Sequence, residues 1–192
     1  MIYKIFFKRI IDIILALFAL PLLFLICIII APIIFFSDKG PIFYNANRMG
    51  MHGKAYKMYK FRSMSVNSPD LRNSDGSTYN GENDPRVTPI GRFLRKTSLD
   101  ETPQILNVLF GTMSFVGPRP NLVTSSYNDL PQIEKDRVKM RPGITGYNQA
   151  YFRNSVSTEQ KFINDVYYIE HVTFILDIRI IIKTISTVLK RE

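Results

Sequence analysis

A long uncharged apolar run near the N-terminus is the feature that most constrains the fold. It covers the 24 residues from Ile13 to Phe36, and Lys4, Lys8 and Arg9 precede it. A continuous helix of this length would reach about 36 Å, which exceeds the ~30 Å hydrocarbon core of a bilayer. The run is too long for a cleaved signal peptide, and no small-residue cleavage site follows it. We therefore interpret it as a membrane segment.

A proline inside the run leaves two membrane topologies open. Pro21 removes one helical hydrogen bond and divides the run into Ile13–Leu20 and Leu22–Phe36. Those arms would be about 12 Å and 22 Å long, so neither would cross the bilayer alone. A bent helix would enter and leave by the same face, and basic residues on both flanks weakly favour this topology. A single kinked span is the alternative, because proline is tolerated in transmembrane helices.

Most of the charge lies beyond this run. The chain has 25 Lys and Arg residues against 16 Asp and Glu residues, so its formal net charge is +9. A single cysteine, Cys27, excludes an intrachain disulfide framework and a cysteine-based zinc site. Positive charge is also typical of nucleic-acid binding, but the chain has no nucleic-acid-binding motif and that function would leave the membrane segment unexplained. We therefore expect no nucleic-acid partner.

Turn-forming residues divide the rest of the chain into short elements, and we predict an α+β fold that is mostly helical. A long polar loop is expected at Ser65–Pro89. The predicted strands are Ile42–Tyr44, Tyr56–Phe61 and Met113–Val116. The predicted helices are Ile90–Lys96, Leu99–Phe110, part of Asn121–Met140, Thr158–Glu170 and Phe174–Leu189.

The last predicted helix has a strong apolar pattern with a period of 3.6 residues. Its apolar residues gather on one face of Phe174–Leu189, and Arg179 and Lys183 lie largely away from that face. A basic amphipathic helix of this kind suits an anionic membrane surface. The same pattern is also typical of a helix that covers the domain's own core, and both interpretations stay open.

The adjacent carboxylates Asp100 and Glu101 are the best catalytic candidates. Ser98 and Glu101 fit an S-x-x-E capping box, so the simplest interpretation is a capped helix whose dipole favours ionised Asp100. A carboxylate can also be a nucleophile, and two together can bind a divalent metal. The chain has no Walker A loop, no G-x-G-x-x-G and no histidine-paired serine pattern. Cations that could hold a phosphate-rich ligand lie just upstream, at Arg92, Arg95 and Lys96.

Further basic residues stand in turn-rich settings. Guanidinium groups on rigid loops suit bidentate phosphate recognition, although each one alone also fits a solvated surface residue. Arg119 is the best of them, because Pro118 and Pro120 restrain its backbone. The others are Lys60, Arg62 and Arg141. The segment Asp165–Tyr168 suits either stacking against a base or sugar, or packing of a helix in the core.

These segments resemble the monotopic phosphoglycosyl transferases, also called bacterial sugar transferases. The resemblance covers the chain roughly from Lys8 to Lys190, without an additional multi-span region, so it is similar to a minimal catalytic core. The long block at Asp84–Pro120 is the most specific part. The other matching motifs are Lys8–Ala16, Lys60–Met64, Arg141–Gly146 and Asp165–Tyr168.

The resemblance implies a specific reaction. A phosphosugar is transferred from a UDP-sugar to polyprenol phosphate, UMP leaves, and an Asp-Glu dyad acts with Mg²⁺. Asp100 would be the nucleophile and Glu101 would assist, both being candidate metal ligands. The residues implied for phosphate binding are Lys60, Arg62, Arg95, Arg119 and Arg141. The residues implied near the nucleotide or sugar are Gln149, Arg153, Asp165, Tyr167 and Tyr168.

The resemblance also implies a location. Residues 1–36 would form a re-entrant membrane helix, and residues 37–192 a small catalytic domain with amphipathic interfacial helices. The protein would lie on the cytoplasmic face of a bacterial inner membrane, in contact with anionic lipids. The chain departs from the family at Tyr147–Phe152, which leaves the sugar open, whereas Gln149 and Arg153 match. The alternative function is a non-enzymatic basic protein that binds the membrane surface.

Overall fold

The computed structural model describes residues 2–71, 79, 81, 83–123, 126–153 and 155–190. As predicted, the described part is mostly helical, with a few short strands. A π-helical turn, Tyr3–Phe7, leads into the first helix. The helices are α1 (Lys8–Asp38), α2 (Pro89–Thr97), α3 (Gln104–Phe110), α4 (Gln132–Arg137), α5 (Tyr147–Tyr151), α6 (Thr158–His171) and α7 (Phe174–Leu189). The strands are β1 (Phe43–Met49), β2 (Ala55–Phe61), β3 (Ser114–Val116) and β4 (Gly143–Thr145).

The strands form two separate pairs. β1 and β2 are an antiparallel hairpin whose register runs from Phe43 opposite Phe61 to Met49 opposite Ala55. β3 and β4 pair in parallel, which brings the loops around Gly117 and Gly143 together. β1 is longer than the predicted strand because each of its residues from Phe43 onward has a cross-strand partner in β2. The local sequence pattern therefore underestimated the length of β1, because pairing with β2 extends this strand.

The N-terminal helix is the one helix among the described residues that is long and apolar enough to cross a membrane. It is one continuous α-helix that contains both Pro21 and Pro32. A single face is buried along its length, at Lys8, Asp12, Ala16, Leu23, Ile30 and Ile34. Apolar side chains in its middle are exposed instead, including Phe18, Leu22, Phe24 and Leu25. This exposed apolar surface is what a bilayer would cover.

Both ends of α1 are fastened to the same small domain. At the N-terminal end, the Lys8 ammonium lies 2.6 Å from a carboxylate oxygen of Asp177 in α7. At the C-terminal end, Ile34 packs in a buried cluster with Phe61 and Leu94. The two ends therefore lie against one domain, although most of the length of α1 separates them.

The C-terminal helix uses two different apolar faces. Ile180 is fully buried in a core cluster with Val116, Tyr168 and Ile169. A second row is 40% to 63% exposed, namely Ile175, Ile178, Ile182 and Ile185. α7 therefore covers the core of the domain and still presents a free apolar face, so both interpretations of its pattern describe part of the helix.

The predicted loop Ser65–Pro89 is only partly described, because residues 72–78, 80 and 82 lie outside the described residues. Its described end is organised by a buried pair, in which Arg86 donates two hydrogen bonds from Nε and one from Nη2 to the Asp84 carboxylate. Arg86 also donates to the carbonyl oxygens of Pro69 and Tyr79. Arg86 therefore ties together three parts of the loop, at Pro69, Tyr79 and Asp84.

Candidate active site

The first turn of α2 positions one basic side chain of the site. The Thr88 hydroxyl caps the helix by accepting a hydrogen bond from the Gly91 amide, and Pro89 lies in the first turn. A Cβ atom at Gly91 would lie 1.9 Å from the backbone oxygen of Ser63, so the lack of a side chain allows the close approach. One turn later, Arg95 Nε donates to Ser63 Oγ at 2.9 Å. The close packing of Gly91 against Ser63 therefore brings Arg95 within hydrogen-bonding distance of the Ser63 hydroxyl.

The catalytic candidates lie in a short 3₁₀ turn rather than in a regular α-helix. Ser98 has a left-handed backbone with φ 59° and ends α2, and Leu99–Glu101 form the turn. The predicted helix Leu99–Phe110 is thus divided. Pro103 precedes the first residue of α3 and has no amide hydrogen to continue a helical ladder. Gly111 ends α3 in a left-handed conformation.

The predicted capping box is wrong. Ser98 makes no side-chain cap hydrogen bond, because its left-handed backbone serves as the C-terminal cap of α2. The Glu101 carboxylate is instead engaged by Lys60, with Nζ 2.5 Å from Oε1. The acidic pair is therefore held by a tertiary contact, and the simplest interpretation of its motif does not hold.

An asparagine that the sequence did not single out brings Lys60 to this turn. Asn107 in α3 accepts a hydrogen bond from the Tyr59 amide at 2.9 Å and donates to the Lys57 carbonyl at 2.7 Å. It is 1% exposed, so these bonds satisfy a buried amide group. The contact fixes β2 against α3, and Lys60 follows directly after it in the strand.

Burial dominates the electrostatics of Asp100. The residue is 8% exposed, and desolvation raises the pKa of its carboxyl to about 6. The Glu101 charge raises the pKa as well, whereas Lys60 and Arg95 lower it. The sequence predicted that a helix dipole would favour the ionised form. The structure reverses this expectation for the pKa, although about 90% of a carboxyl with this pKa is still ionised at about pH 7.

The two carboxylates fit a magnesium ion that arrives with a substrate. No group of three or more His, Cys, Asp or Glu side chains suited to a metal occurs among the described residues. Mg²⁺ is commonly held by one or two carboxylates together with substrate phosphates and water. Asp100 and Glu101 provide that donor set, while a site formed by the protein alone would need more ligands.

Two of the predicted phosphate-binding residues are engaged elsewhere. The guanidinium of Arg62 donates two hydrogen bonds to the carboxylate of Asp38 and one to the Pro41 carbonyl. It therefore ties the end of β2 to the end of α1. Arg141 donates from Nε to the Gly111 carbonyl at 2.8 Å, beside the end of α3. Phosphate binding by either residue stays a prediction.

Arg119 is exposed, and its backbone is held in place by a buried arginine. Its carbonyl oxygen accepts a hydrogen bond from Nη2 of the buried Arg137 at 3.0 Å. Arg137 also donates to Asp165 Oδ2 from Nε at 3.0 Å and from Nη2 at 2.8 Å. Nη1 of Arg137 donates to Asn121, and its guanidinium lies 4.1 Å from the centre of the Phe162 ring. Arg137 is thus a structural centre that the sequence interpretation missed.

The residues predicted near the nucleotide or sugar lie in α5, in α6 and in the segment between these helices. Asp165 is 1% exposed, and burial raises the pKa of its carboxyl against the opposing effect of Arg137. Tyr168 belongs to the core, where its hydroxyl donates to Asp177 at 2.6 Å. Tyr167 is exposed and stacks on the His171 ring at 4.2 Å. These contacts support core packing for Tyr168 and leave Tyr167 accessible.

The remaining two predicted residues have contrasting surroundings. The amide nitrogen and oxygen of Gln149 are buried without a hydrogen-bond partner among the described residues. Arg153 is exposed and has a left-handed backbone with φ 53°.

The structure therefore separates the predicted residues into two groups. Asp100, Glu101, Lys60 and Arg95 meet at one end of the hairpin. The Arg119 loop instead adjoins the other end of the hairpin, where the Met49 amide donates to the Asn121 carbonyl. β2 runs about 17 Å between those ends at ~3.3 Å per residue. The catalytic candidates and Lys60 thus form one compact site.

Comparison with known proteins identifies relatives over nearly the whole chain. The family model described as "Bacterial sugar transferase" matches residues 3–191. The "Uncharacterized sugar transferase EpsL" of Bacillus subtilis (strain 168) is 39% identical over 186 residues, which cover 96% of this chain and 88% of EpsL.

Two longer relatives carry names that state a reaction. The "UDP-glucose:undecaprenyl-phosphate glucose-1-phosphate transferase" of Klebsiella pneumoniae is 42% identical over 186 residues, which cover 93% of this chain and 39% of that protein. The "Undecaprenyl-phosphate galactose phosphotransferase" of Salmonella typhimurium is 37% identical over 204 residues, with 97% and 41% covered. The chain spans about two fifths of the length of these two relatives.

Proposed function

The chain belongs to the bacterial sugar transferase family, and on this premise we propose that it transfers a phosphosugar from a UDP-sugar to polyprenol phosphate. The observation that carries the proposal is the buried Asp100 carboxylate, flanked by Glu101 and with the Lys60 and Arg95 cations close enough to lower its pKa. The names of the relatives from Klebsiella pneumoniae and Salmonella typhimurium support the same acceptor, undecaprenyl phosphate.

The first half of the proposed reaction forms a covalent intermediate on Asp100. A carboxylate oxygen attacks the phosphorus atom linked to the sugar, and a bond between that phosphorus and Asp100 forms. The bond from the same phosphorus to the bridging oxygen breaks, and UMP leaves with the electron pair. Lys60 and Arg95 offset the negative charge of the diphosphate, which allows one anion to approach another.

The second half returns Asp100 to its initial state. An oxygen of polyprenol phosphate attacks the phosphorus of the aspartyl phosphosugar, and the Asp100 oxygen leaves as a carboxylate. The product is a polyprenol diphosphate sugar. A bound Mg²⁺ would neutralise the phosphate oxygens, with Asp100 and Glu101 as its protein ligands.

We further propose that α1 is a re-entrant membrane helix. Support comes from the contacts of Lys8 and Ile34, which attach its two ends to one domain. The exposed apolar middle around Phe18 would enter the bilayer, and the free face of α7 would lie in the interface. With basic residues on both flanks, the domain would lie on the cytoplasmic face of the inner membrane.

The experiment is to incubate the purified protein with a panel of UDP-sugars and Mg²⁺ without acceptor. We expect one donor to release UMP and to increase the intact protein mass by one phosphosugar. Polyprenol phosphate should then remove the adduct, and initial rates with both substrates varied should show ping-pong kinetics. Intersecting kinetics without an adduct would instead indicate direct attack within a ternary complex. Membrane binding without UMP release from any donor would favour the non-enzymatic function.

A further inference from the structure

Lys60 and Glu101 form an ion pair at the centre of the proposed site. Lys60 Nζ lies 2.5 Å from Glu101 Oε1, and the two side chains are 18% and 27% exposed. Solvent and small ions can therefore reach the pair. Glu101 is also the neighbour of Asp100, and its charge raises the pKa of that carboxyl. A cation at Glu101 is thus close to the proposed nucleophile.

We propose that in the free enzyme the Lys60 ammonium occupies the position at Glu101 that a divalent cation takes later. A cation that arrives with a nucleoside diphosphate would displace the ammonium from Glu101. The inference rests on the proposed function, because it assigns the ion pair to the same site. It makes Lys60 a competitor of the metal before the substrate binds and a phosphate ligand afterwards. Both positions are within reach of one flexible side chain.

Charge balance is the reason for the exchange. Two neighbouring carboxylates repel each other, and one ammonium neutralises only part of their charge. A divalent cation neutralises both, but it must take an oxygen that Lys60 now engages. The diphosphate supplies a new acceptor for the ammonium, so nucleotide and metal should each strengthen the binding of the other. Arg95 does not duplicate this role, since its Nε donates to Ser63.

The test measures Mn²⁺ binding by electron paramagnetic resonance on the full chain in detergent, without a sugar donor. Lys60→Met should bind Mn²⁺ about tenfold more tightly than the unmodified protein, and Lys60→Gln should behave alike. Added UDP should tighten Mn²⁺ binding to the unmodified protein, and this gain should shrink in both variants. In a Glu101→Gln background, Lys60→Met and Lys60→Gln should no longer bind Mn²⁺ more tightly than the protein with the original Lys60.

The matched control is Lys57→Met, which removes a positive charge from an exposed residue of the same strand. It should change Mn²⁺ affinity by less than about twofold, because long-range charge effects are weak at exposed sites. Equal or weaker Mn²⁺ binding in Lys60→Met, an equal gain in Lys57→Met, or no Mn²⁺ binding by any of the proteins would each overturn the exchange. A failure of the proposed function would appear separately, as an absence of UMP release from every UDP-sugar.

Discussion

Lys8 and Asp177 form a buried ion pair that joins the first turn of α1 to the first turn of α7, with Nζ and Oδ2 2.6 Å apart. The same carboxylate accepts hydrogen bonds from the Tyr3 and Tyr168 hydroxyls. Tyr3 and Lys8 come from the N-terminal end of the chain, whereas Tyr168 and Asp177 come from α6 and α7. The start of α1 is therefore held by a polar cluster inside the domain.

Removing Lys8 should destabilise the protein strongly. Lys8→Met leaves the Asp177 carboxylate buried without its cation, and loss of one partner of a buried pair typically costs about 3–5 kcal/mol. Thermal unfolding in detergent would measure the effect. Lys139→Met is the control, because it breaks an exposed pair with Asp136 and should leave the melting temperature nearly unchanged. Equal effects of the two substitutions would show that the buried pair has no special importance.

The contacts at both ends of α1 predict that those ends face the same side of the membrane. In a Cys27→Ala background, single cysteines at the exposed positions Ile2 and Lys54 should both resist an impermeant thiol reagent in intact cells. Both should react in permeabilised cells, which serves as the control for accessibility. Labelling of the Ile2 cysteine from outside, with the Lys54 cysteine protected, would establish a single transmembrane span instead.

Asp100→Asn should abolish turnover and stabilise the fold. Ionisation of Asp100 is disfavoured in the folded state, because its pKa rises to about 6 from the usual value near 3.9. The destabilisation is fully present above about pH 6 and disappears below about pH 4. We expect the variant to gain about 1–3 kcal/mol near pH 7.5 and almost nothing near about pH 3.

Thermal unfolding at several pH values would measure this change, and UMP release would measure the loss of activity. Glu101→Gln should also impair turnover, since it removes the second carboxylate. Substantial UMP release by Asp100→Asn would argue against a nucleophilic role. A stability gain that persists at low pH would mean that burial of the charge is not its cause.

The activity of the unmodified enzyme should fall as the pH decreases through about 6, because protonated Asp100 cannot attack. Lys60→Met should move this acidic limb to higher pH, since Lys60 lowers the pKa of Asp100. The measurement is the rate of the first half-reaction against pH. Lys57→Met should leave the limb in place. If the acidic limb of the rate profile stays at the same pH in Lys60→Met, Lys60 does not influence the pKa of Asp100.

Gly91→Ala should displace the start of α2. The added Cβ would lie 1.9 Å from the Ser63 backbone oxygen, and overpacking of this kind typically costs about 1–3 kcal/mol. Arg95 would lose its contact with Ser63, so the folded fraction should also release UMP more slowly. Arg92→Ala, on the exposed side of the same helix, should leave the melting temperature nearly unchanged. Normal stability and kinetics in Gly91→Ala would show that the close approach is dispensable.

Arg119→Ala should lower activity much more than stability. The side chain is exposed, and loss of a charge-assisted hydrogen bond to phosphate would slow turnover roughly 10- to 100-fold. Arg137→Lys should do the opposite, lowering the melting temperature because a lysine cannot form the two bonds to Asp165. A sharp fall in melting temperature for Arg119→Ala, with normal kinetics of the folded enzyme, would make Arg119 structural.

The site was only partly predictable from local patterns. Adjacent carboxylates with upstream cations pointed to Asp100 and Glu101, and the structure joins them with Lys60 and Arg95. Arg62 was predicted to bind phosphate because it is a basic residue in a turn-rich setting. It binds Asp38 instead, because a basic residue in a motif carries no information about its distant partner. The role of Arg137 could not be predicted from local patterns, because its hydrogen-bond network includes residues as distant in the chain as Asp165.

Features with a local physical cause could be predicted from the sequence. The apolar run of α1 and the period of α7 both follow from neighbouring residues. The pairing of Lys60 with Glu101, and the burial that raises the pKa of Asp100, could be recognised only in the folded structure. Ion pairing and desolvation depend on the atoms that surround a group in space, and most of those atoms come from segments far away in the chain.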